Sequence, residues 1–598
     1  MKINKYIKVS MMAMMTCTLI TSCSDFLEEE NKSNLTDSSQ WENAQNSDIY
    51  LNNLYGEMNR PHNRSETMDY YSDDYNISHY YTASNWRQGI CQVPGGSASG
   101  DWNGTHGPTE GYDWNNLYKK IRACNTYIIK MTEFKKNFDE AFFNQRIDEA
   151  RFLRAFFYFT AFRHYGGLPI ITKVLDRTTM SEEELLVPRS TAEETYKFIS
   201  DELSSIISNG HLQVKYNAGK ADAGRATIGA ALGYKAVLDL FAASPLMNTG
   251  SPYLPDAGKF VHFGSADPGR WAKAAATCKQ FIDTYGNADY KLFNDLERLW
   301  RESNEYNSEV IWDIQCVGNS PRSNNIDTYG GVPYIHGAYM NWGNYNPTQE
   351  LVDDFLMANG KKITDKDSGY DPQDPYKDRE PRFYQFIVFD GAELKFEWMA
   401  EPDVIYTRID KVNPSKNEID LAGKNDQGDS GYLQKKSMGR DAVPGSGMNG
   451  ENQVMLRYAE ILLSYAEAQN EAAGPDASVY DAINQIRKRS GVPELKAGLS
   501  KDEMREEIYR ERRIELCFER VRYFDNKRLL KQEDRMGVPR HNMVITNTSP
   551  ADNTGKWVYS VEPEVKWKAA FNARQYMTPI PQSAIDQNHK IKQNPGYE

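Results

Sequence analysis

Two stretches of the chain combine aromatic rings with amide and charged side chains, which are residue types suited to recognising a ligand. Tyrosine and tryptophan offer a flat apolar ring with a polar tip, and amide groups both donate and accept hydrogen bonds. Residues 70–103 contain Asp73, Asp74, Tyr75, Asn76, Tyr80, Tyr81, Asn85, Trp86, Arg87 and Trp102. Residues 329–345 contain Tyr334, His336, Tyr339, Asn341, Trp342 and Tyr345. Long polar loops are usually functional when they are ordered, so both stretches predict a recognition surface.

Other motifs lack the surroundings that nucleotide or metal chemistry requires. Residues 445–450 match the pattern GxGxxG, but no predicted strand precedes them, so a flexible loop is the better interpretation. Asp365, Asp367 and Asp371 resemble part of a calcium loop, yet its twelfth position is Tyr376, where a bidentate glutamate is needed. We interpret these aspartates as solvated turns and expect no bound metal ion.

Hydrolytic machinery is not recognisable in the sequence either. The nine histidines are scattered without an HExxH motif, and no GxSxG motif is present. Carboxylates are abundant, but no pair is singled out as the dyad of a glycosidase. A glycoside hydrolase therefore remains an alternative without a named catalytic residue, and we expect neither an enzyme nor a cofactor.

Composition excludes one class of partner and two kinds of cross-link. The formal net charge of −13 argues against nucleic acid, whose binding depends on neutralising phosphates. The cysteines are widely spaced, without a CxxC motif, so neither a disulfide framework nor a zinc site is expected. They are Cys17, Cys23, Cys91, Cys124, Cys278, Cys316 and Cys517.

The N-terminus has the layout of an export signal. Three lysines among the first eight residues precede an apolar run at residues 9–20, which is too short to cross a bilayer. The sequence LITSC at residues 19–23 resembles a lipobox, in which the thiol of Cys23 receives lipid. We therefore expect a signal peptide over residues 1–22, a lipidated tether over residues 23–45 and no later membrane span.

The clearest predicted elements are helices, because apolar residues recur with helical spacing. They cover residues 147–164, 225–243, 271–282, 455–466 and 479–486. The last two flank Gly474 and Pro475, and such a helix–turn–helix fits the roughly 34 residues of a tetratricopeptide repeat. Long polar stretches lie between the helices, at residues 70–111, 317–347 and 412–453. A helical scaffold that displays long aromatic loops is typical of a recognition protein.

A series of blocks along the chain resembles the SusD/RagB family of outer-membrane lipoproteins. The block EARFLRAFFYFTAFRHYGGLPIIT at residues 149–172 is similar to the signature helix of that family. Further similar blocks follow in the family's order. They are CSDFLEEE at 23–30, WNNLY at 114–118, PTQELVDDF at 347–355, DREPRF at 378–383, LRYAEILLSYAEA at 456–468, PIP at 579–581 and NPGY at 594–597. Their number and order, from the signal to the last residue, carry the resemblance.

The resemblance implies both a fold and a way of working. The expected fold is predominantly α-helical, with tetratricopeptide-like helix pairs packed against an irregular, loop-rich half. It would comprise an N-terminal region at residues 46–245 and a C-terminal region with ligand loops at residues 246–598. Members are surface lipoproteins that capture nutrients, usually oligosaccharides, for a TonB-dependent transporter in the outer membrane. The RagB side of the family leaves peptide cargo as an alternative.

The resemblance also implies where a sugar would bind. Sugars present flat C–H faces and ringed hydroxyls, so stacked aromatic rings and hydrogen-bonding side chains recognise them, and family contacts come from the two loops named above. The expected stacking residues are Tyr81, Trp86, Trp102, Trp342 and Tyr345. Polar contacts are expected from Asn85, Arg87 and Asn341.

Overall fold

The computed structural model describes residues 39–59, 68–76, 83–97, 103–109, 112–217, 219, 221–317, 334–335, 338–339, 343–408, 430–439, 450–552, 554–566 and 568–598. The predicted signal peptide and Cys23 lie outside these residues. Within them, no helix has the length and apolar character needed to cross a membrane.

Helices dominate the described structure, and strands are short. The helices are α1 Ala44–Asn59, α2 Ser84–Arg87, α3 Trp114–Glu133, α4 Glu140–Tyr165, α5 Glu182–Leu185, α6 Ala192–Asn209, α7 Ile228–Ala243, α8 Gly269–Tyr285, α9 Gln349–Asp354, α10 Pro381–Phe386, α11 Tyr458–Ala473, α12 Ala477–Arg489, α13 Lys501–Leu516, α14 Val521–Arg528, α15 Gln532–Met536 and α16 Gln582–Gln587. The strands are β1 Tyr75–Asn76, β2 Val310–Ile314, β3 Tyr334–Ile335, β4 Ala338–Tyr339, β5 Asn346–Pro347, β6 Ile387–Val388, β7 Ala392–Leu394, β8 Asp403–Ile405, β9 Leu433–Gln434, β10 Gln453–Arg457, β11 His541–Asn547 and β12 Trp557–Pro563.

Helix α4 forms the centre of the helical half. It is apolar on nearly every side, and most of its residues from Ala150 to Tyr165 are buried between α3 and α6. The Asp139 side chain caps its first turn by accepting a hydrogen bond from the Phe142 amide at 2.8 Å. Gly166 ends it with φ +77°, a conformation that residues with a β-carbon rarely adopt. The structure confirms the predicted helix and starts it earlier than residue 147, because Asp139 provides the cap.

The predicted helix pair near the C-terminal half is also present. Helices α11 and α12 are joined by residues 474–476, and Asp476 caps α12 by accepting from the Ser478 and Val479 amides at 2.9 and 3.1 Å. Helix α11 packs on α8, α12 and α13, and α8 packs in turn on α7. These contacts build a layer of antiparallel helix pairs, as the tetratricopeptide-like spacing predicts.

The strands form antiparallel two-stranded ribbons in the part of the chain that the structure describes. They pair as β1–β5, β2–β10, β3–β4, β6–β9, β7–β8 and β11–β12. The largest apolar core lies among the helices and includes residues from Trp41 to Ile591, on both sides of the predicted boundary at residues 245 and 246. A second core lies beneath the loops and ribbons. The fold is therefore predominantly α-helical with an irregular, loop-rich half, as predicted, while the boundary itself stays a prediction.

Candidate functional site

The two aromatic stretches identified in the sequence meet in the structure. Strand β1 pairs with β5, so that Tyr75 lies opposite Pro347 and Asn76 opposite Asn346. The Thr348 amide extends the pairing by donating to the Asp74 carbonyl at 2.9 Å. We call residues 70–76 and 344–348 together the loop junction. It brings the described ends of both loops to one place.

One side of the loop junction is a stack of aromatic rings. The Tyr75 ring lies parallel to Phe518 and nearly parallel to Tyr345, with centroids 5.1 and 5.5 Å apart. Tyr70 meets Tyr345 edge-on at 5.6 Å and donates its hydroxyl to the Asn344 carbonyl at 3.1 Å. Tyr345 lies two residues before Pro347, the partner of Tyr75, so the alternation of side chains along a strand favours placing these two rings on one face. We call Tyr70, Tyr75, Tyr345 and Phe518 the aromatic stack.

The aromatic stack is held from the side by Gln434 in β9. The Gln434 amide donates to the Tyr345 carbonyl at 3.0 Å, and its side-chain oxygen accepts from the Tyr75 hydroxyl. Burial raises the pKa of Tyr75 well above its ordinary value, so the phenol stays neutral and keeps donating. The rings are therefore fixed as neutral, packed groups.

A cavity of about 110 Å³ lies beside the aromatic stack. Tyr75, Tyr345 and Phe518 line it together with Trp300, while Arg520 is among its polar lining residues. A water molecule needs roughly 10–15 Å³ on this scale, so the cavity has room for several waters. It is smaller than the roughly 300 Å³ of pockets that enclose an organic ligand.

At the loop junction lies a group of buried and half-buried charges, which we call the charged cluster: Asp73, Asp74, Asp354, Arg513 and Arg522. Arg513 contacts Asp74 at 2.8 Å, Asp73 at 3.1 Å and Asp354 at 2.7 Å. Arg522 binds both oxygens of Asp73 at 2.8 Å. These contacts tie the first loop to helices α13 and α14 through directional, charge-assisted hydrogen bonds.

Burial and charge act in opposite directions on the two aspartates of the charged cluster. Burial would raise the pKa of Asp73, but the Arg513 and Arg522 guanidiniums outweigh it and hold that pKa well below its ordinary value. For Asp74 burial prevails over the same arginines and raises the pKa. Asp73 therefore stays charged at neutral pH, whereas the charge of Asp74 is opposed by burial and favoured by Arg513 and Arg522.

The charged cluster continues into a larger buried network along residues 510–528. Arg457 contacts Glu515 and Glu519, both at 2.7 Å, and Arg382 contacts Glu515 at 3.0 Å. The arginines hold the pKa of Glu515 below its ordinary value despite burial. These residues were not predicted from the sequence, because a run of charges usually marks a solvated face. The signal was the mixture: RERRIELCFERVRYFDNKR alternates Arg and Glu with large apolar residues.

A separate polar contact joins the start of the 317–347 stretch, whose far end forms part of the loop junction, to the end of the 412–453 stretch. Asn452 donates its amide to Glu305 at 2.8 Å and its side chain to Asp313 at 3.1 Å, and accepts from the Cys316 amide at 3.0 Å. Burial raises the pKa of Glu305 to about 7 and that of Asp313 to about 6. These two carboxyls therefore change charge close to neutral pH.

The structure describes four of the eight side chains predicted to bind ligand. Trp86 is 1 % exposed and packs edge-on against aromatic neighbours, and Arg87 is 2 % exposed and donates to the Asn76 side chain at 2.9 Å. Tyr345 is buried in the aromatic stack, and Asn85 is half-buried, donating to the Thr105 hydroxyl at 2.8 Å. Trp86, Arg87 and Tyr345 are therefore buried at the bases of the loops, and neither the Trp86 ring nor the Tyr345 ring presents a face to solvent.

The other four predicted ligand residues fall outside the described part of the chain. They are Tyr81, Trp102, Asn341 and Trp342. The GxGxxG stretch is described only at Gly450. Among the described residues, no three His, Cys, Asp or Glu side chains are grouped as a metal site would require.

Comparisons with known proteins agree on one family. A model described as the SusD family matches residues 308–597, and one described as starch-binding associating with outer membrane matches residues 25–223. SusD-like protein P38 of Formosa agariphila is 22% identical over 550 residues, which cover 90% of this chain and 94% of that protein.

Solved structures extend the comparison to the fold. A SusD-like protein from Bacteroides fragilis is 26% identical and superposes with a TM-score of 0.70, covering 94% of this chain and 99% of that chain. A laminarin-binding SusD-like protein is 20% identical with a TM-score of 0.59, covering 93% of this chain and all (100%) of that chain. The latter likeness concerns the fold alone.

Proposed function

This chain belongs to the SusD/RagB family, and we propose that it is a surface lipoprotein that captures glycans and delivers them to a TonB-dependent transporter. The observation that carries the proposal is the loop junction. Two loops, distant in sequence and both rich in aromatic and amide residues, are joined by the β1–β5 pairing. A buried base of charges and rings holds them there.

The ligand side of this proposal depends on residues of the two loops that lie outside the described part of the chain. Tyr81 follows β1 by a few residues, and Asn341 and Trp342 shortly precede β5. We propose that Tyr81, Trp102 and Trp342 stack on sugar faces, with Asn341 binding hydroxyls. Trp86, Arg87 and Tyr345 then act by positioning the loops, which agrees with their burial. A binding role also agrees with the name of the laminarin-binding structural neighbour, whose likeness to this chain is one of fold.

The membrane side of the proposal depends on Cys23. We propose that its thiol carries the lipid that tethers the protein to the outer membrane. Stable anchoring needs more than one acyl chain, so we expect this lipid to have more than one. The family description that names association with the outer membrane supports this location. A net charge of −13 makes attachment of the protein surface to anionic membrane lipids unfavourable. The lipid on Cys23 is therefore the expected contact with the membrane.

Affinity electrophoresis tests the proposal directly. Soluble protein beginning at Ser24 is run through gels that contain plant, host or microbial polysaccharides. We expect retardation by at least one glycan, and loss of retardation in Trp342→Ala and Trp102→Ala with unchanged thermal unfolding. Trp86→Phe is the matched control, because it keeps a buried ring. Retardation by no glycan, in the presence or absence of a co-expressed transporter, would contradict glycan capture.

A further inference from the structure

The hairpin β7–β8 carries a tryptophan at its tip that the proposed site does not use. Trp398 is 39 % exposed, whereas Trp41, Trp86, Trp114 and Trp312 are each less than 5 % exposed. Tryptophan is a highly buried residue on average, so an exposed indole leaves apolar surface in water at a free-energy cost. A ligand that covers the ring would recover that cost.

The hairpin around Trp398 is supported by apolar packing and by a hydrogen bond across its tip. It has an apolar core of its own, separate from the two larger cores. The members are Val388, Ala392, Leu394, Phe396, Met399, Ile405, Leu433 and Met438. The ring of Phe396, itself 1 % exposed, lies nearly parallel to Trp398 with centroids 6.3 Å apart and planes at 28°. Across the tip, Lys395 donates to the Ala400 carbonyl at 2.7 Å. A preorganised ring loses little entropy when it binds.

Polar groups flank the exposed indole. Glu397 pairs with Arg301 at 3.5 Å, and its side chain is 60% exposed while that of Arg301 is 23% exposed. A carboxylate accepts hydrogen bonds and a guanidinium donates them. Because a sugar hydroxyl both donates and accepts, the two side chains together match it. A ring beside such a pair is suited to a carbohydrate and less to a purely apolar surface.

The same hairpin is connected to the loop junction. Strand β6, which leads into it, pairs with β9, where Gln434 contacts both Tyr75 and Tyr345. Arg301 also follows Trp300, which lines the cavity with Tyr345. The hairpin and the loop junction are therefore connected through β6, β9 and Gln434.

We propose that Trp398, flanked by Glu397 and Arg301, is a second stacking platform for a glycan chain bound at the loops. This inference rests on the proposed function. A chain long enough to reach both platforms gains from the second contact as an intramolecular event, so its affinity exceeds that of a short fragment. The cargo is therefore an extended oligosaccharide or polysaccharide and not a monosaccharide.

Titration calorimetry with a length series of the retarded glycan tests this inference. We expect Trp398→Ala to lower affinity for long chains by roughly tenfold while leaving affinity for the shortest bound fragment unchanged. Glu397→Gln should lower the affinity for long chains by less than Trp398→Ala does. Val565→Ala, at an 88 % exposed apolar residue, is the matched control and should change nothing. Thermal unfolding of each variant checks that the hairpin change leaves the fold intact.

The outcomes separate this inference from the proposed function. Equal binding of all chain lengths by Trp398→Ala and wild type would overturn the second platform alone. Equal loss at every length would also overturn it, because the residue would then act on the first site or on folding. Loss of transporter association with unchanged glycan binding would assign the ring to a protein contact and overturn it too. A wild-type protein that binds no glycan would overturn both proposals.

Discussion

Replacing Arg513 tests whether the charged cluster holds the first loop in place. Arg513→Met keeps an unbranched apolar side chain but removes the contacts to Asp73, Asp74 and Asp354 at 2.7–3.1 Å. Asp73 keeps its bidentate partner Arg522, whereas Asp74 loses the arginine that donates to its carboxylate at 2.8 Å. Leaving a buried charge without its partner costs about 3–5 kcal/mol. We expect the free energy of unfolding to fall by that amount at pH 8.

The loss should depend on pH in a defined direction. Burial already raises the pKa of Asp74, and without Arg513 it rises further. In the window between the unfolded and folded pKa values, the folded protein binds a proton that the unfolded chain has released. Stability of Arg513→Met therefore increases as pH falls through that window. Asp74→Asn in the same chain removes the carboxylate that has lost its closest guanidinium, since Arg522 lies 3.8 Å away, and should restore part of the loss at pH 8.

Urea unfolding followed by tryptophan fluorescence at pH 5 and pH 8 measures these effects. Arg505→Met is the control, because its partly exposed ion pair with Glu471 should contribute less than about 1 kcal/mol. A loss below 1 kcal/mol in Arg513→Met would refute the reasoning. So would a further loss on adding Asp74→Asn, because the carboxylate would then not be the source of the penalty.

Three other changes give expectations that differ in mechanism. Gly166→Ala should cost about 2–4 kcal/mol in urea unfolding, because φ is +77° and the new β-carbon would lie 2.2 Å from the Phe260 carbonyl oxygen. Gly210→Ala is the control, with φ +68° and no atom within 4 Å of the new β-carbon. It should cost only the backbone strain of about 1–2 kcal/mol. Glu305→Gln should raise the free energy of unfolding by about 1–2 kcal/mol at pH 8 and leave it unchanged at pH 4. The reason is that a folded pKa of about 7 makes the wild type lose stability as pH rises from the pKa of the unfolded chain to 7. An increase at pH 4 would contradict this. Trp86→Ala should cost about 3–5 kcal/mol in urea unfolding because its ring is 1 % exposed, and a variant as stable as wild type would show that the ring is not part of the packing.

Helices could be predicted from the sequence because their signal is local. In α4 the apolar run, the capping position before it and the Gly166–Gly167 stop all lie within one stretch of the chain. The pair α11–α12 was recognisable for the same reason, with Gly474 and Pro475 marking the turn. The N-terminal limits shifted where a cap acts, as at Thr227, which accepts from the Ala230 amide at 2.9 Å and starts α7 at Ile228.

The site could be predicted only in part, because its organisation is not local. The composition of the two loops indicated recognition, but their junction depends on strands of two residues, too short to leave a periodic pattern. Composition also could not tell an exposed ring from a packed one. Trp86 and Trp398 are the same residue type in similarly polar surroundings, yet one is 1 % and the other 39 % exposed. The difference lies in the distant rings that cover Trp86, including Tyr523.

The buried charges explain how such irregular loops can hold a defined shape. Apolar packing alone has little direction and tolerates a shifted neighbour, whereas Arg522 contacts Asp73 through two parallel hydrogen bonds at 2.8 Å. A shift of the loop would leave those groups buried and unpaired, at a cost of about 3–5 kcal/mol. The charged cluster therefore specifies one position for the loop base at residues 73 and 74. The position of the aromatic stack is fixed together with that base. A loop fixed at its base can vary at its tip without losing its place, which is the property that a ligand-binding surface on a common scaffold requires.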